Sequence, residues 1–84
     1  MGYYDYASGL LNLTSKRLEV WQLENGIICV QYHNCDVKDG LMLHGAFGQG
    51  RTFEKACEDY YKQISGKTLI FDAGTNSRTE VVVL

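Results

Sequence analysis

No run of apolar residues in this 84-residue chain approaches the ~20 that a bilayer-spanning helix needs, so a transmembrane segment is excluded. The opening stretch, MGYYDYASGLLNLTSKR, lacks the basic-then-apolar order of a signal peptide. Nor is Met1-Gly2 followed by the Ser or Thr that a myristoylation pattern wants near the sixth position. Cysteine is scarce and odd in number: Cys29, Cys35 and Cys57, with no Cys-x-x-Cys pair. That excludes a disulfide framework and fits reduced thiols in a cytoplasmic protein. Charge is also in short supply, with 8 basic against 10 acidic residues and a net charge of −2. This is too mild for an acidic mimic of DNA and of the wrong sign for gripping phosphate backbones by bulk charge. Proline is absent. A chain this short has room for one domain and buries roughly 60–65% of its extended surface, which leaves no space for a roomy catalytic cleft.

What is present is ordinary globular composition, 45% hydrophobic and 21% charged, which rules out disorder. The clearest organisation runs from Gly48 to Phe71. Thr52 suits a helix N-cap, its hydroxyl accepting from first-turn amides. Phe53, Ala56, Cys57, Tyr60, Tyr61 and Ile64 then recur at the three-to-four spacing of one buried helix face, with Glu54, Lys55, Glu58, Asp59 and Lys62 opposite. Gly66 suits the left-handed residue that closes such a helix. The expectation is a helix over Phe53–Ser65 followed by a strand through Thr68–Asp72.

Upstream, Leu18–Glu24 and Ile27–His33 flank Asn25-Gly26, the strongest short hairpin signal, because both centres of a type I′ turn need positive φ. Folding on that two-residue turn pairs Leu23 with Ile28, Trp21 with Val30 and Glu19 with Tyr32. It predicts a helix-facing side of Trp21, Leu23, Ile28, Val30 and Tyr32, with Leu18, Val20, Gln22, Cys29, Gln31 and His33 opposite. Asn34–Gly40, NCDVKDG, reads as a loop from its Asn, Asp and Gly content. Leu41–Phe47 reads as a strand interrupted at Gly45 by a bulge or a close backbone approach. Thr79–Leu84 completes a final hairpin around Ala73–Ser77, its apolar end adding an edge strand or meeting a partner. Residues 1–17 read as an irregular arm with one helical turn across Leu10–Leu13, because Gly2 and Gly9 weaken any helix.

Residues with chemical potential are few. His33, Cys35, Asp36 and His44 include metal-ligand types, but the paired short spacings of a structural zinc site are missing, so no metal is expected. Cys57 lies on the apolar helix stripe and reads as core rather than nucleophile. The glycines before Thr52 only faintly echo a phosphate loop, whose lysine is absent. With no carboxylate pair and no nucleophile–base set, neither catalytic residues nor a cofactor are expected. Six tyrosines are an enrichment, and Tyr3, Tyr4 and Tyr6, outside the core elements, read either as interface aromatics or as arm residues packed over the sheet.

Gly50-Arg51-Thr52-Phe53-Glu54-Lys55-Ala56, and the run Phe47–Phe71 around it, resembles the HicB-like antitoxin domain and its stand-alone relatives. In that family a three-stranded antiparallel sheet leads into a Gly-x-Thr-x-Glu-Glu-Ala-type turn and helix, then a further strand. The resemblance implies a truncated ribonuclease-H-like fold without nuclease residues, acting as a non-enzymatic binder that covers an mRNA-cleaving toxin. This chain departs in lacking the family's proline-containing segment and its Gly-Cys pair, and no DNA-binding motif follows the final strand, so autorepression is not implied. It is also similar to compact, acidic, Tyr-rich proteins of bacteriophages and mobile elements, some of which inhibit host defence nucleases, as anti-CRISPR proteins do.

The expectation from sequence is therefore one α+β domain over residues 18–84, preceded by the arm at 1–17. Its antiparallel sheet has four to five strands and one helix, in the order β-β-β-α-β-β. The expected role is occlusion of a protein partner through Tyr3, Tyr4, Tyr6, Asp36 and Asp39, with homodimerisation through the last strand. A different class of reading makes the sheet face around Gln22, Gln31 and His33, with Lys16 and Arg17, a nucleic-acid-binding surface.

Overall fold

The computed structural model describes residues 5–84, which leaves Tyr3 and Tyr4 outside the described residues. The helix read from sequence forms as α2, Phe53–Ile64. Thr52 is its N-cap, extended at φ −129° and ψ 162°, with its hydroxyl accepting from the Lys55 amide at 3.1 Å. Glu54 in the first turn and Lys62 in the last complement the helix dipole. Ala56, Cys57, Tyr60 and Ile64 are buried, whereas Phe53 and Tyr61 sit at the margins of the stripe. Gly66, at φ 78°, closes the helix in the left-handed region.

The single sheet expected from sequence is instead two antiparallel sheets. One has three strands, β1 (Leu18–Gln22), β2 (Ile28–Tyr32) and β5 (Gly48–Gly50), in the order β1-β2-β5. The other has four, β3 (Cys35–Asp39), β4 (Met42–His44), β6 (Thr68–Phe71) and β7 (Thr79–Val82), in the order β4-β3-β6-β7. The expected loop at 34–40 is thus a strand at the centre of the second sheet. Its Asn and Asp residues misread as loop chemistry, while Cys35 and Val37 alternate inward against Phe71 and Leu69. β7 takes the edge position, as its apolar sequence suggested.

β2 and β3 are separated by two residues and belong to different sheets, so residues 28–39 form one strand path bent at Asn34. Asn34 sits at φ 50°, a left-handed conformation that asparagine tolerates better than branched residues. Beside it, Asp72 ends β6 at φ 53°, its amide donating to the Asn34 carbonyl at 2.9 Å. The Asn34 side-chain amide returns a bond to the Asp72 carboxylate at 3.2 Å. The antiparallel partner path breaks likewise between β4 and β5, where Gly45 lies. A strand that changes sheets at a bend is how two sheets share one corner.

The first hairpin forms where expected but one residue out of the expected register: Val20 faces Val30, and Trp21 faces Cys29. The Gly26 amide donates to the Leu23 carbonyl at 2.9 Å and the Leu23 amide to the Ile27 carbonyl at 2.9 Å. Gly26 alone is left-handed, at φ 89°, so the connection is a three-residue turn with a glycine bulge rather than type I′. A one-residue slip moves a whole strand to the opposite face. Ile28, Val30 and Tyr32 meet the helix as expected, but Trp21 and Leu23 turn away from it and stay 39% and 41% exposed.

Close helix–strand contact explains two glycines. A Cβ on Gly48 would overlap the Ala56 carbonyl oxygen, and one on Gly50 would come within 2.5 Å of the Ala56 amide nitrogen. β5 therefore lies directly under α2, backbone against backbone. The core spreads from that contact: Tyr32 stacks on Tyr60 and Phe71 at centroid distances of 5.7 and 5.6 Å, with Val30, Val37, Leu69 and Val83 around them.

A second helix replaces most of the expected arm. α1, Tyr6–Leu13, is capped by Asp5, whose carboxylate accepts from the Ser8 amide at 3.2 Å. Glu54 of α2 accepts from the Tyr6 amide at 2.7 Å, so one helix neutralises the first-turn amides of the other. Leu10 is fully buried in the main core and the Tyr6 ring packs on Tyr61 at 5.8 Å. The propensity loss at Gly9, ~1 kcal/mol, is outweighed by burying Leu10 alone, worth about 1.5–3 kcal/mol.

Candidate functional site

Both helices cover one side of the bent sheet, and the register fixes which side chains project from the other. From the three-stranded part these are Glu19, Trp21, Gln31 and Gln49, with Phe47 just ahead of β5; from the four-stranded part, Asp36, Lys38, Leu43, Thr68, Glu80 and Val82. Cys29 and Ile70 also lie on this side, yet both are fully buried and separate from the main core. Trp21 stands directly across from Cys29 and packs on Phe47 at 6.0 Å.

An open groove of about 580 Å³ lies at the bend, lined by Glu19, Gln31, Asn34, Asp36, Asp72 and Thr75. Three carboxylates therefore border one concavity. Each has a local reason to be there. Glu19 is brought across from Gln31 by the hairpin register. Asp36 alternates outward between inward Cys35 and Val37. Asp72 holds the left-handed corner and starts a turn in which its carbonyl accepts from the Thr75 amide and hydroxyl at 3.1 and 2.9 Å. The cations nearby are already engaged: Lys16 lies 3.9 Å from Asp72, and Arg17 lies 4.0 Å from Glu19. His33 Nδ1 is 2.9 Å from Glu19.

The residues expected at the site are dispersed. Asp36 lines the groove. Asp39 ends β3 at the opposite extreme, 3.8 Å from His44, next to Leu41 and Met42, which are 103% and 71% exposed. Tyr6 opens α1 on the helical side, half-buried against Tyr61. Sequence reasoning missed Glu19 and Asp72, since only the true register puts Glu19 on this face and only the two left-handed corners bring Asp72 to it. The residues of the nucleic-acid reading also separate: Gln31 projects at the groove, while Gln22 lies on the helical side of β1. Lys16 and Arg17 each face a carboxylate.

Among the described residues no His, Cys, Asp or Glu side chains gather as a set of metal ligands. The three thiols are unpaired and buried. Burial pushes the Cys35 and Cys57 thiols up to about 11, so both stay protonated at neutral pH and are poor nucleophiles. No helix of the described residues is long and apolar enough to cross a membrane. No protein-family model, curated protein or solved structure matches the chain.

Proposed function

We propose that the protein is a non-enzymatic cytoplasmic binding module that covers a partner protein with its helix-free sheet face, the partner supplying basic side chains to the groove at the bend. The observation that carries this reading is the grouping of Glu19, Asp36 and Asp72 around one open concavity, adjoined along β1 by the exposed Trp21–Phe47 pair. Carboxylates steer a basic partner and set its orientation, while aromatic area supplies most of the affinity.

A nuclease fits that chemistry, because a surface built to hold phosphates is basic. An acidic groove placed on such a surface occludes it without any reaction. Toxin neutralisation of the HicB-like kind and inhibition of a host defence nuclease are the two forms this takes. Support for the HicB-like form is the three-stranded antiparallel sheet that ends at Gly50 and passes through Arg51 into the Thr52-capped helix, followed by β6.

The test compares capture from a bacterial lysate by wild-type protein, a Glu19→Lys/Asp36→Lys variant and a Trp21→Ala variant, with captured proteins identified by mass spectrometry. A specific basic protein held by the wild type and lost from both variants supports the reading. Unchanged capture by the charge-reversed protein overturns it, as does tight, salt-steep binding of the wild type to RNA or DNA oligonucleotides.

A further inference from the structure

We propose that β7 pairs with β7 of a second copy of this chain, antiparallel about a two-fold axis passing by Val81. The inference does not depend on the proposed function. Its starting point is the direction of the backbone groups. The Val83 amide donates to the Lys67 carbonyl at 2.8 Å, and the Val83 carbonyl accepts from the Gly66 amide at 3.0 Å, so both groups of Val83 point into the sheet. Alternation along an antiparallel strand then turns those of Val81 and Thr79 inward, and those of Glu80 and Val82 outward. Among the described residues no strand lies beyond β7.

β7 is short, at four residues, and carries Glu80, but it lacks the stronger protections of an edge. It has no proline, no lysine and no bulge, and Val82 and Leu84 are 64% and 94% exposed. β4, the opposite edge of the same sheet, is only three residues long.

The outward groups and the charges together select the register. Hydrogen-bonded pairs across a two-fold must join outward-facing residues. Placing Glu80 on the axis sets two carboxylates directly opposite, which is destabilising. Placing Thr79 on the axis leaves Val82 facing the turn that precedes β7, and placing Val82 there sets Glu80 opposite Leu84, beyond the end of the strand. With Val81 on the axis, Glu80 of each copy faces Val82 of the other, and Val81 faces its own counterpart. Arg78, 3.7 Å from Glu80 on its own strand, keeps that carboxylate paired, so no like charges meet across the junction. The partner is therefore a second copy, and the product is one continuous eight-stranded sheet carrying two grooves. A closed two-fold contact of this kind uses the same patch twice and ends there.

Light scattering with size-exclusion chromatography over a concentration series tests the pairing. Wild-type protein is expected at twice its 9.5 kDa chain mass. Val82→Pro removes only an outward amide, and Val82→Lys places a charge on the edge; both are expected to run as monomers with unchanged circular dichroism. Val81→Cys is expected to give a disulfide-linked dimer, since residues facing each other in a non-hydrogen-bonded pair lie about 4.5 Å apart at Cα. A wild-type monomer at every concentration overturns the proposal, as does a dimer that survives both Val82 variants. Cross-linking through Glu80→Cys instead of Val81→Cys overturns the register. The Glu19→Lys/Asp36→Lys protein stays dimeric in this scheme, which separates the outcome from that for partner binding.

Discussion

The hydroxyl of Tyr60 accepts a hydrogen bond from the backbone amide of Tyr32 at 3.1 Å, in the buried core where β2 is about to leave its sheet. A helix side chain thus supplies an acceptor at the bend. Tyr32 in turn donates its hydroxyl to the Leu10 carbonyl of α1 at 2.6 Å, so β2 is tied to both helices. Burial raises the Tyr60 phenol well above its ordinary value, and it stays protonated throughout the physiological range. Tyr60→Phe removes this acceptor from a buried amide and is expected to cost about 1–3 kcal/mol in urea unfolding. An unchanged midpoint would show that the amide finds another acceptor at no cost.

The glycines of β5 offer a sharper contrast. Gly48→Ala forces the backbone of α2 away from β5 and is expected to cost about 3 kcal/mol or prevent folding. Gly45→Ala, with nothing within 4 Å and no positive φ, is expected to shift the melting temperature little, within about 0.5 kcal/mol of stability. Equal effects at the two positions would remove the close-approach account.

Asn34 tests the bend. Asn34→Gly is expected to be nearly neutral, and Asn34→Val to cost about 1–2 kcal/mol, because a branched side chain resists the left-handed conformation at φ 50°. Thermal unfolding of the two variants side by side decides it, and the opposite ranking would contradict the assigned conformation.

Alkaline pH should destabilise the protein through Cys35 and Cys57. Their thiols move from 9.0 to about 11 in the folded state, mainly because burial penalises the thiolate. The contribution is complete below pH 9, where both states hold the proton. It is lost between pH 9 and 11, as the unfolded chain ionises and the folded chain does not. Denaturation midpoints measured from pH 7 to 11 are expected to stay level and then fall from about pH 9. The same burial predicts thiols that resist alkylation until the chain unfolds.

Leu10→Ala is expected to cost about 2–5 kcal/mol, as for a fully buried leucine. Deleting residues 1–13 should be at least as damaging. A truncated chain that melts with the intact one would return this region to the status of a dispensable arm.

The helix Phe53–Ile64 was legible because cap, stripe and closing glycine all agree, and the last hairpin because its apolar strands flank an evident turn. Other elements hid for identifiable reasons. Asn25-Gly26 marks a hairpin but does not distinguish a two-residue turn from a three-residue one, and that single residue decides which way Trp21 points. Cys35-Asp36-Val37 does alternate, but flanking Asn34, Asp39 and Gly40 drown the pattern. α1 owes its existence to Leu10 and Glu54, contacts that local propensity does not contain. Of the residues that the sequence reading named for partner binding, only Asp36 lines the groove, and of those named for nucleic-acid binding, only Gln31. Glu19 and Asp72 reach the groove through register and a left-handed corner, both tertiary outcomes.

Residues 28–39 run as one length of backbone through both sheets, so opening one sheet tugs directly on the other. A pull on the groove would load the corner from both ends at once, coupling the two sheets mechanically. Rigidity of that sort would suit the proposed role, in which usefulness lies in keeping shape when pressed against something larger.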